Sequence, residues 1–144
     1  MHKLRCILAL LLAALLLFTC AAAEQAAPQT QWLELGKGKN QMTVIVVFPD
    51  QTTKGYHISS NCKTLMGGLM ELDLIQVEKT DGQYRLIAVD GVSLPEDDPD
   101  AYWFVAMYDQ ATESLVPMTQ PFNKATLAGQ TYALGMITGG QASE

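Results

Sequence analysis

Cysteine is scarce, with three in 144 residues, and histidine scarcer, with two. Positive charge is short as well: nine Lys and Arg stand against fifteen Asp and Glu, a formal net charge of −6. Each shortage removes a class of protein. A chain this acidic is a poor match to a polyanion, so nucleic acid is not expected as a partner. One cysteine and one histidine beyond the first 23 residues, Cys62 and His57, cannot build a structural zinc site. A lone Cys62 also cannot close an internal disulfide, so the domain must be held by its core. No glycine-rich loop has the form that cradles a phosphate: "KGK" precedes the first strong strand, and Gly67-Gly68 sits within a helical pattern.

The N-terminus carries the clearest address. Lys3 and Arg5 precede an unbroken apolar run, Ile7 to Phe18, followed by small residues ending at Ala23. A basic start, a short apolar stretch and an Ala-x-Ala site predict a secretory signal peptide over residues 1–23. The apolar run falls short of the roughly 20 residues a bilayer span needs. Cys20 offers a second reading, a lipid-modified N-terminus. Leu17 suits a lipobox but Phe18 and Thr19 do not, so Cys20 is read first as part of the leader. An extracytoplasmic location follows, secreted or at the cell surface. Contact with a membrane is expected only through the leader or a lipid on Cys20.

Residues 24–34 are expected as a flexible spacer, 35–138 as one folded domain, and 139–144 as a disordered tail. "MTVIVVFP", Met42 to Pro49, is β-branched and apolar, and predicts a strand buried on both faces or nearly so. Lys54 to Ser59 completes a hairpin. "SSNCKTLMGGLMELDLI" then changes period: Leu65, Leu69 and Leu72 fall at i, i+4 and i+7, which predicts a helix with one apolar face, capped by Ser60 or Asn61. Gly68 lies on that face and is expected to let the helix backbone approach the sheet. Strands follow at Tyr84 to Val89, Ala101 to Tyr108 and Thr131 to Thr138, with a proline-broken edge near Leu115 to Gln120. The order predicts an α+β, β-grasp-like fold: a mixed sheet of about five strands, one helix on one face, and the last strand beside the first.

The run "LGKGKNQMTVIVVFPD", the helix "TLMGGLMELDLI", the turn "VDGV" and the pair "YW" at Tyr102-Trp103 occur in that order. Together they resemble the transcobalamin C-terminal-like domain family, many of whose members are bacterial exported domains. The resemblance implies a β-grasp-like fold and names cobalamin as a ligand, since the domain caps the corrin ring in vertebrate carriers. The chain departs from the family's turns, with "YDQATES" and "AGQT" where Asn-Gly and Gly-Asp are usual.

The candidate ligand residues are Tyr102, Trp103, Tyr108 and Asp90. Strand alternation sends Tyr102, Phe104 and Tyr108 to one face and Trp103 and Val105 to the other. One set faces the helix and the other faces solvent or a ligand, and Trp103 is expected under the helix. Glu96, Asp97, Asp98 and Asp100 read as a solvated acidic loop rather than a calcium loop. Cys62 near a helix N-terminus raises a thiol nucleophile, but no orienting partner for His57 is visible, so no catalytic residue is assigned. The expected function is a non-catalytic extracytoplasmic binding or interaction module, for a corrinoid, another small ligand or a surface protein. The alternative is a structural or adhesive domain at the bacterial cell envelope.

Overall fold

The β-branched run at Met42 becomes the centre of the molecule. The computed structural model describes residues 30–140; the signal-peptide and Cys20 readings, and residues 141–144 of the tail, lie outside them. Nine strands and one helix are present among the described residues. They are β1 (Gln31–Gly36), β2 (Asn40–Val47), β3 (Thr53–Ser60), α1 (Leu65–Glu71), β4 (Ile75–Thr80), β5 (Gln83–Val89), β6 (Val92–Ser93), β7 (Tyr102–Asp109), β8 (Ser114–Pro117) and β9 (Thr131–Ile137). A mixed six-stranded sheet has the order β1-β3-β2-β9-β7-β8, and β4-β5-β6 form a second, small sheet. This is the α+β, β-grasp-like class the sequence predicts, with β9 beside β2 as expected; the two run parallel. The strand count is higher than five, because β1, β4 and β6 were not read as strands.

Alternation along β2 decides where the core lies. Met42, Val44 and Val46 are buried, while Thr43 and Ile45 are half-buried and Val47 is exposed. So β2 is covered on one face only, not on both. Its buried face meets Tyr56, Ile58, Leu134, Leu65, Leu69 and Leu127. The buried face of the sheet carries α1, the small sheet and the loop before β9. That loop is laced to the helix entry: Leu65 N–H donates to the Ala125 carbonyl at 2.9 Å and Leu127 N–H to the Lys63 carbonyl at 3.0 Å.

The helix is shorter than its apolar period suggests. Thr64, not Ser60 or Asn61, is the N-cap, and its hydroxyl accepts from Gly67 N–H at 3.2 Å. At the other end Asp73 takes φ +55°. Leu74 N–H donates to Leu69 O at 3.0 Å and Asp73 N–H to Met70 O at 3.1 Å. These paired bonds are a Schellman stop, and the buried Leu69 and Leu74 supply its apolar contact. The chain after the stop is free to form β4, which turns into β5 through Asp81 (φ +52°) and Gly82 (φ +79°), the left-handed pair that a tight hairpin needs. Gln31 to Glu34, expected as spacer, are instead part of β1 and pair in parallel with β3. No helix among the described residues is long and apolar enough to cross a membrane.

Candidate functional site

The sheet order brings β5 of the small sheet against β7 of the large one. At Tyr102 to Val105, β7 has no strand on its outer side, because β8 pairs only with Ala106 to Asp109. A cleft of about 570 Å³ opens there, walled by Tyr84, Arg85, Tyr102, Trp103 and Phe122, with Glu78 at one end. Arg85 is anchored by a 3.4 Å bond from Nη2 to the Ala101 carbonyl. Lys79 Nζ stands 5.3 Å from the centre of the Tyr84 ring, a cation-π contact on the outer rim.

Trp103 is the feature that distinguishes this cleft. Its side chain is 6% exposed and belongs to the core cluster, so the aromatic strand does place its tryptophan inward. Yet the indole Nε1 has no hydrogen-bond partner within the protein. Leaving a buried donor unpaired costs about 1–3 kcal/mol. Tyr102, by contrast, is 42% exposed at the strand's start.

The other candidates fall elsewhere. Tyr108 lines a separate depression with Gln110 and Gln130. Asp90 is tied inside the fold: its Oδ2 accepts from Lys54 Nζ at 2.8 Å and from Tyr56 OH at 2.7 Å. That bond, together with burial, raises the Tyr56 hydroxyl pKa above the ordinary tyrosine value, burial being the larger cause. Lys54 and Tyr56 alternate onto the core side of the sheet and Tyr108 onto the opposite side. Asp90 is therefore a strut for the β5–β6 turn and stands apart from the aromatic strand.

Cys62 Sγ lies 3.5 Å from a Glu71 carboxylate oxygen. His57 stacks on Trp32, with ring centres 4.7 Å apart and planes at 11°, and sits on the far face of the sheet. The thiol and the imidazole are not brought together. In the acidic loop, Asp98 accepts from Asp100 N–H at 3.2 Å and from Gly139 N–H at 2.8 Å, which pins the chain just after β9. Among the described residues no three His, Cys, Asp or Glu side chains cluster as a metal site would need. Tyr84, Arg85 and Phe122 were missed in the sequence. Phe122, a lone aromatic in "QPFNK", was the available signal of a loop anchored against something.

The chain matches no family model and no curated protein. Among solved structures it is similar to a protein of Ruminococcus gnavus ATCC 29149, described only provisionally as metal-binding. The TM-score is 0.59 at 18% identity, over 70% of this chain and 99% of that one. This likeness shows a shared fold. Haptocorrin, solved in complex with Cbi, gives a TM-score of 0.47 at 12% identity, over 72% of this chain and 27% of haptocorrin.

Proposed function

We propose that this protein is a non-catalytic, extracytoplasmic binding module whose ligand occupies the cleft between β5 and β7. The observation that carries the reading is the cleft itself, walled by the rings of Tyr84, Tyr102 and Phe122, with Arg85 and the buried Trp103 in its lining. Ligand sites are typically clefts of roughly 300–1,000 Å³ with apolar walls and a few placed polar groups. The lining suits a ligand with a ring face to stack on Tyr84 or Phe122 and negative charge for Arg85. A corrinoid is the ligand that the family resemblance names. Metal binding, the provisional description of the Ruminococcus gnavus protein, lacks a donor cluster among the described residues.

The test uses Trp32→Phe protein, so that Trp103 emission is read alone, titrated with cobalamin, an aromatic carboxylate and a small glycan panel. A saturable change in Trp103 emission is expected with one of them, weakened at least tenfold by Arg85→Gln, about 1.4 kcal/mol. If no ligand perturbs Trp103, or if Arg85→Gln leaves the affinity unchanged, the cleft is not the site. The alternative, a structural or adhesive domain at the cell envelope, draws on the short edge strand β8. There Leu115 is 51% exposed beside an unpaired strand edge, a surface open to strand addition.

A further inference from the structure

The face of the large sheet turned away from α1 is unusual for a surface. One row across it runs Trp32, Gly55, Ile45, Ala133 and Ala106, and the next Thr53, Val47, Gly135 and Phe104. Trp32, Ile45, Val47 and Phe104 belong to no part of the core cluster. Among the described residues, the exposed large apolar side chains are Trp32, Val47, Met70, Tyr102, Tyr108 and Leu115. All but Met70 alternate onto this face. Its strand residues include one carboxylate, Glu34, and no Lys or Arg, in a chain of net charge −6.

Gly135 gives the face its shape. It lies inside β9 without a positive φ, and a Cβ built on it would meet only Val47 Cβ, at 4.0 Å. Nothing within the described chain requires glycine there. Glycine weakens a strand interior, and its presence often marks the close approach of something from outside. Beside it, Ile45 and Val47 form a ridge on β2, while Ala133 and Gly135 form a groove on β9. The two strands run parallel with Val47 level with Gly135 and Ile45 level with Ala133. A two-fold axis along the strands, midway between β2 and β9, therefore lays the ridge of each copy in the groove of the other.

We propose that this face is the interface of a homodimer, two sheets stacked face to face as in a β-sandwich. The area is of the right order. Six strands spaced at about 4.8 Å, seven residues long at about 3.3 Å each, give roughly 650 Å² per copy, close to the about 800 Å² per partner of stable complexes. Two copies with the same negative charge meet without opposing like charges only on a face that carries almost none. Trp32 supplies a preorganised anchor. Although 48% exposed, it is stacked on His57 and lies so close over Gly55 that a Cβ there would come within 2.3 Å of its Cε3.

Sedimentation of the purified protein across a concentration series reads the proposal. The wild type is expected at the mass of two chains, dissociating on dilution. Gly135→Leu and Val47→Lys should each raise the dissociation midpoint at least tenfold, and Met70→Lys, on α1, should not. Gly135→Ala, compared with wild type below its dissociation midpoint, should keep or raise the Tm. A single-chain mass up to about 100 µM, where complexes of this size are assembled, overturns the proposal. So does a dimer that survives both Gly135→Leu and Val47→Lys, or a Gly135→Ala monomer that melts earlier, since the glycine would then serve the fold. Ligand binding at the β5–β7 cleft is read by Trp103 emission in Trp32→Phe protein held below the dissociation midpoint, so the failure of either reading leaves the other standing.

Discussion

Two adjacent glycines in α1 should respond to alanine in opposite ways. Both are interior helix positions, and both gain about 1 kcal/mol from alanine's higher helix propensity. At Gly68 the new Cβ would lie 2.3 Å from Leu127 Cδ1 and 3.6 Å from Met42 Cε. Leu127 is fully buried, and its backbone is bonded to Lys63, so it has little freedom to withdraw. Overpacking of this kind costs about 1–3 kcal/mol. The net effect of Gly68→Ala is then between neutrality and about 2 kcal/mol of destabilisation. At Gly67 the new Cβ meets only the Thr64 hydroxyl at 3.0 Å and Cys62 at 3.5 Å, both on a half-buried surface. Gly67→Ala should therefore be neutral or stabilising by up to about 1 kcal/mol. For a domain near 100 residues each kcal/mol moves the Tm by roughly 4 °C or more. Thermal melts of the two variants, in identical buffer, should separate by several degrees with Gly68→Ala the lower. A higher Tm for Gly68→Ala than for Gly67→Ala would refute the claim that the helix needs a bare backbone against Leu127.

Two further expectations concern stability. Thr64→Ala removes the hydroxyl that accepts from Gly67 N–H, and urea unfolding should show a loss of about 1 kcal/mol; an unchanged midpoint would mean that the loop bonds at Leu65 and Leu127 fix the helix start unaided. The Tyr56 pKa is raised in the folded protein by burial and by its bond to Asp90. Its contribution is thus fully present below the unfolded tyrosine value of about 10 and is lost as pH rises through the folded value. Tm measured on the alkaline side should fall less steeply in Tyr56→Phe than in wild type, and identical slopes would contradict this.

The sequence made the sheet's backbone legible where burial alternates strongly. Met42 to Val47, the Tyr84 strand, the aromatic strand and the closing strand at Thr131 were all readable, and so was the reason for Gly68. Two features were hidden by local ambiguity. "QWLELG" alternates well enough for a strand but follows an Ala/Gln/Pro stretch that reads as spacer, and only its pairing with β3 decides the matter. The apolar period of the helix runs smoothly through Leu72 and Ile75, so the stop at Asp73, an aspartate in a left-handed conformation where glycine is usual, left no compositional mark. The candidate site was half legible. Tyr102 and Trp103 do share a cleft, because both walls of an edge strand are within reach at its start. Arg85, Tyr84 and Phe122 join them only through the docking of the small sheet on the large one, which no local pattern encodes. Asp90 looked like a loop carboxylate until Lys54 and Tyr56, more than thirty positions away, claimed it.

The parallel pairing of β2 with β9 sets the timetable on which the molecule can assemble. The two strands that form the middle of the sheet lie at opposite ends of the described chain, with the helix and the small sheet between them. The β2–β3 hairpin can close early, but its neighbour on the other side arrives only with the last strand. Closing so long a loop before the contact rewards it makes folding slow. Until β9 docks, β2 presents an open edge and an unfilled core, so a ribosome-bound chain lacking Thr131–Ile137 has no native state to reach. The sheet is complete only with the seven residues of β9, and any factor that handles the chain during synthesis meets it before that strand has docked.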